Sequence, residues 1–197
     1  SFAEPADGKL TITPRPVTFT GNGGTVAYNG SEQSVSGFTT NDGEGTGLVP
    51  GHSSNVEAVA KGTVAGTYTG DITAAEDVVI KDGETDVTGN YTVTTAPGTL
   101  VITGVAGEIS IAAASSSHVY DGEAYTDATW TDNAEGILLD GDELVVTVEG
   151  SATNVGDEGK NVVTSYKVMR GGADVTKSYS FAEPADGKLT ITPRPVT

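Results

Sequence analysis

Residues 1–18, SFAEPADGKLTITPRPVT, return letter for letter as residues 180–197. The shift is 179 residues, so the chain holds one full period and an overlap. Identity over that length exceeds what maintaining a fold requires, and it points to a long array of recently duplicated modules. A period of this kind sets the architecture before any local reading does.

A second, older duplication lies inside the period. Tyr28-Asn29-Gly30 matches Tyr120-Asp121-Gly122, and ten residues after each tyrosine stands a large aromatic, Phe38 or Trp130. Residues 56–62 (VEAVAKG) line up with 144–150 (LVVTVEG), and Asp86-Val87-Thr88 before Tyr91 lines up with Asp174-Val175-Thr176 before Tyr179. Gly98-Thr99-Leu100-Val101-Ile102-Thr103 lines up with Gly187-Lys188-Leu189-Thr190-Ile191-Thr192. Landmarks in one order and near-constant register divide the chain into a first half, 14–103, and a second half, 104–197.

Apolar residues come in short alternating runs with turn signals at Asn29-Gly30, Asp82-Gly83 and Asp140-Gly141. That pattern reads as all-β, with about six strands and one small core per half. The expected architecture is two tandem small Ig-like β-sandwiches in an elongated rod, with β-grasp-like modules as the alternative. Residues 1–13 read as the last strand of a preceding repeat, Leu10 and Ile12 alternating with Thr11 and Thr13. Such a strand stands free or fills an edge of another copy by strand exchange. Pro14-Arg15-Pro16 reads as a stiff extended joint, because alternate prolines cannot donate to a ladder. Residues 104–117 join the halves, with Ala112-Ala113-Ala114 and the three serines after it reading as a strand end or a short flexible piece.

Charge and composition narrow the partners. With 10 Lys+Arg against 27 Asp+Glu the formal net charge is −17. Such a surface repels phosphate backbones and anionic lipid heads, so neither nucleic acid nor direct membrane contact is expected. Mutual repulsion also keeps crowded modules soluble. No apolar run approaches the ~18 residues of a membrane span. With no Cys present, the units rely on their cores or on another crosslink. An intramolecular Lys–Asn bond would serve, with Lys81, Lys160, Lys167 and Lys177 in or near strands.

Motifs for catalysis are missing. His52 and His118 are the only histidines, one in each half, and neither opens an HExxH. No G-x-S-x-G elbow occurs, and the glycine runs at 21–24 and 43–47 precede neither a helix nor a GK[ST]. No enzyme is expected, and no catalytic, cofactor or metal residue is assigned. Calcium is the one ion with candidate oxygens, at Asp140, Asp142 and Glu143 and at Asp127, Asp132 and Glu135, although no D-x-[DN]-x-[DN]-G loop accompanies them.

At these landmarks the chain resembles the YDG-type and MBG-type repeats of bacterial cell-surface adhesins. The second half carries the fuller match, with Val119-Tyr120-Asp121-Gly122, Gly141-Asp142, Asp174-Val175-Thr176 and Leu189-Thr190-Ile191-Thr192. The first half has Tyr28-Asn29-Gly30 and is closer to the MBG variety. The resemblance implies an extracellular stalk repeat on a bacterial surface, with neighbouring repeats as partners and a binding tip held away from the cell. The alternative is that the repeats themselves bind host mucin or glycans multivalently, with Tyr125 and Trp130 as the aromatics available to stack on sugar. The YDG and YNG tyrosines themselves read as packing residues ahead of tight turns.

Overall fold

The computed structural model describes residues 7–157 and 159–196. The chain is all-β. Twelve strands lie between Arg15 and Thr103 and nine between Glu108 and Thr192, more and shorter than six per half. The helical segments among the described residues are the 3-10 turns Ala75–Asp77, Thr88–Asn90 and Thr176–Ser178. A β-grasp arrangement would need a longer helix across its sheet.

Two compact units form. The first comprises Ser1–Gly24, Ser34–Lys61 and Thr67–Leu100; the second comprises Thr25–Gln33, Gly62–Gly66 and Val101–Thr197. In the first, strand Arg15–Gly21 runs parallel to Tyr91–Ala96, with Val17 opposite Val93, and antiparallel to Phe38–Thr40. The alternation expected of a half-buried strand places Val17 and Phe19 inward, 1% and 0% exposed. They form a core with Val56, Val78, Ile80 and Tyr91, against which Phe38, Leu48 and Ile72 pack. Phe19 and Phe38 meet edge to face at 5.3 Å.

The second unit repeats this plan. Strand Glu108–Ile109 runs parallel to Ser180–Phe181, and Ile111–Ala113 pairs antiparallel with Trp130–Asp132. Ile109 and Ile111, 0% and 2% exposed, stand where Val17 and Phe19 stand in the first unit. Of the two readings of residues 104–117, the strand is the one found, and it extends back to Glu108. Strands Ser116–Val119, Gly187–Thr192, Gly159–Arg170 and Asp142–Glu149 form the main sheet in that order. Beneath it Leu189 and Ile191 pack with Ala152 and Tyr125.

The joint expected at Pro14-Arg15-Pro16 is corrected by the fold. Arg15 and Pro16 already belong to a strand, opposite Tyr91 and Thr92. The second neighbour, Phe38–Thr40, reaches only Phe19–Gly21, so the proline sits where little of the ladder depends on its missing N–H. Gly47 donates to the Pro16 carbonyl at 2.9 Å. The Arg15 guanidinium donates to the carbonyls of Gly47, at 2.8 Å, and Thr46.

Of residues 1–13, read above as the last strand of a preceding repeat, 1–6 lie outside the described residues. Residues 7–14 form no strand, and Leu10 and Ile12 are 91% and 87% exposed. Their copies Leu189 and Ile191 are 0% and 4% exposed in a strand that pairs with Ser116–Val119 and Gly159–Asn161. The sequence is the same, and its burial differs with its surroundings.

Candidate functional site: a buried carboxylate and its histidine counterpart

Each half contains a tyrosine at the entry to a strand, Tyr91 opening Tyr91–Ala96 and Tyr179 just ahead of Ser180–Phe181, preceded by an Asp-x-Thr turn. The Thr176 N–H and hydroxyl both donate to the Asp174 carboxylate, at 3.0 and 2.6 Å, and the Thr176 hydroxyl oxygen accepts from Val168 N–H at 3.0 Å. In the first half Thr88 N–H donates to Asp86 at 2.9 Å, and its hydroxyl oxygen accepts from Ile80 N–H at 2.8 Å. These bonds hold Asp174 and Asp86 below the ordinary carboxylate range, the threonine side chain contributing most in each.

The turn delivers Tyr179 to a buried cluster in the second unit. Its hydroxyl accepts from Leu139 N–H at 3.1 Å and donates to Asp142 at 2.5 Å. The Asp142 side chain is 0% exposed, and Arg170 Nε donates to its other oxygen at 2.6 Å. Arg170 also reaches the Asp140 carbonyl at 2.8 Å. Tyr28, from the segment Thr25–Gln33 of the same unit, sets its ring edge to face on Tyr179 at 6.0 Å and donates to Asp142 at 3.2 Å. Burial, then the bond to Asp142, raises Tyr179; burial also raises Tyr28. Both oxygens of this carboxylate are thus engaged by side chains of its own unit. It is a latch that ties Tyr179, Tyr28 and Arg170 together.

The first unit builds the same feature from other residues. Tyr91 accepts from Val49 N–H at 3.2 Å, as Tyr179 does from Leu139, and its hydroxyl bonds His52 Nδ1 at 2.6 Å. His52 thus occupies the place of Asp142, and Asp82, 3.9 Å from His52 Nε2, the place of Arg170. The signal was present in the sequence as Gly51-His52 beside Gly141-Asp142, both glycines at positive φ. It was hidden because the offset between halves drifts through this region and histidine replaces aspartate.

The other sequence candidates are dispersed. Asp142 is committed to the latch, Asp127 accepts from Thr129 and Asp132 from Ala134 N–H. Among the described residues no three His, Asp or Glu side chains are grouped to hold a metal. Lys81, Lys160, Lys167 and Lys177 are all exposed, with Lys160 and Lys167 facing Asp186 and Asp174, which removes the buried environment a Lys–Asn crosslink requires. Asn161 is the buried asparagine, and it donates instead to the carbonyls of Ala114 and Asp127. Tyr125 stacks on His118 at 4.8 Å and bonds Ser116, and Trp130 is half-buried in its strand.

No family model matches the chain, and neither a curated protein nor a solved structure is significantly similar to it.

Proposed function

We propose that the chain is a structural stalk repeat of a tandem array on a bacterial cell surface, holding a distant binding tip away from the cell. The observation that carries this reading is how the two copies of the 18-residue segment divide their structure. In the second copy Gly187–Thr192 is a buried strand, while Val196 is 95% exposed. In the first copy Arg15–Gly21 is a strand and Val17, the counterpart of Val196, is 1% exposed. The segment thus serves as the last strand of one unit and the first strand of the next, with a single proline between. Direct strand-to-strand succession suits a stalk, since short stiff joints transmit position. The net charge of −17 and the resemblance to YDG-type and MBG-type repeats agree with it.

Small Ig-like sandwiches would suit this role. The alternative, multivalent mucin or glycan binding, has less behind it, because Tyr125 and Trp130 are engaged in their own unit. One-period and four-period chains tested on immobilised mucin and a glycan array decide between the two. Silence at both lengths is expected; signal that climbs steeply with period number would make the repeats the adhesive.

A further inference from the structure

The tyrosine ahead of the Asn-Gly or Asp-Gly turn occurs twice with the same backbone and opposite surroundings. Tyr28 N–H donates to Thr103 O at 2.8 Å, and Tyr120 N–H donates to Thr192 O at 2.9 Å. Asn29 accepts from Ser31 N–H just as Asp121 accepts from Glu123 N–H. Yet Tyr28 is 4% exposed, whereas Tyr120 is 39% and the adjacent Val119 48% exposed. At the turns themselves, a Cβ on Gly30 would lie 2.2 Å from Arg170 Cζ, while Gly122 has nothing within 4 Å. One turn is seated. The other lacks its seat.

The seat of Tyr28 is the surface made by Tyr179, Asp142 and Arg170. Its counterpart is the surface made by Tyr91, His52 and Asp82. Connectivity says where that counterpart lies for Tyr120. Tyr28 is bonded to Thr103, and the next residues, Gly104 and Val105, run against Ser178, beside Tyr179. Tyr120 is bonded to Thr192, whose copy is Thr13. Thr13 and Pro14 lie in one surface depression with Gly89 and Asn90, beside Tyr91. A chain continuing from Thr192 into a second period therefore carries Tyr120 to the Tyr91 surface of that period.

We propose that Tyr120 of each period docks on Tyr91, His52 and Asp82 of the next copy, its ring on Tyr91 and its hydroxyl toward the His52–Asp82 pair. The apolar neighbour Val119 is covered in the same contact. The partner is a second copy of this chain, and the contact fixes the angle between successive periods. This deepens the stalk reading and rests on its tandem array.

The test uses a chain extended by one 179-residue period, so that each substitution can be placed at an internal or a terminal copy of the same residue. The sequence lacks cysteine, so spin labels attach uniquely at S165C of the first period and E84C of the second. The label-to-label distance distribution is expected to be narrow. It should broaden about twofold with Y120A in the first period, since unfastened neighbours move freely, and remain narrow with Y120A in the second. H52A should broaden it in the second period and not in the first. Because the silent copies carry the same substitutions, a general folding defect would appear in them equally. A distribution already broad without substitution, or changed alike by both copies of Y120A, overturns the docking. Mucin binding by the same chain would refute the stalk role and leave the docking standing.

Discussion

Thr88 and Thr176 have the same role in two places, each giving its hydroxyl oxygen to a strand N–H in a part-buried setting. Replacing either by valine keeps the shape and removes the acceptor, which leaves an unsatisfied donor at a cost of about 1–3 kcal/mol. T88V and T176V should therefore destabilise by similar amounts in chemical denaturation; a loss at only one would break the equivalence. Arg170→Met removes the cation from a buried carboxylate and should lower the midpoint of chemical denaturation. The double change Asp142→Leu with Arg170→Met should recover part of that loss, because the stranded charge has gone with its partner. If the double variant is as unstable as the two losses added together, the pair is not coupled. The titrating groups set both shoulders of the pH profile. Asp86, Asp127, Asp157 and Asp174 are held below their ordinary values by hydrogen bonds. Their contribution is whole above about pH 4 and is lost as pH falls through the lower folded values. Tyr28 and Tyr179 are raised, so theirs is whole below about pH 10 and fades as pH climbs beyond it. Thermal midpoints should be flat near neutrality and fall on both sides; a midpoint that holds steady above pH 10 would remove the tyrosines from the account.

At the scale of elements, sequence and neighbours contribute separately. The alternation of Leu189 and Ile191 was readable and gives a buried strand; the identical Leu10 and Ile12 are exposed and, among the described residues, give none. Period-2 patterning says which face a strand would bury, not whether a sheet is there to receive it. Ile109 and Ile111 were legible only afterwards, since a short apolar run beside small residues resembles a connection until its register with Val17 and Phe19 is known. Pro16 misled for a related reason, because a proline is excluded from a ladder only where its N–H would be needed. The latch was half legible: the turn and its tyrosine stood out, while Asp142 and Arg170 are far apart in the chain and are replaced by His52 and Asp82, a different residue type at each of the two positions. Close approach explains the paired glycines at the start of the last strands. A Cβ on Gly98 would lie 2.0 Å from Asn22 O and one on Gly187 2.1 Å from Ala114 O. Both contacts are to backbone, so G98A and G187A should each cost about 3 kcal/mol or impair folding; wild-type stability in either would mean the strands sit further apart.

For the whole molecule, the recurrence in the sequence is the fact with the longest reach. It predicts that every period meets the next through the same eighteen residues, the last strand of one leading into the first strand of the other. The diverged halves keep near-identical neighbours apart, which would limit strand exchange during folding; an engineered tandem of two second halves should misfold more than the native pair, and equal refolding yields would dismiss the idea. The stalk itself is tested most directly by its length. Small-angle X-ray scattering of chains of one, two and four periods should give a maximum dimension that rises in proportion to period number. Growth with only about the square root of that number, as for a flexible chain, would contradict a stalk.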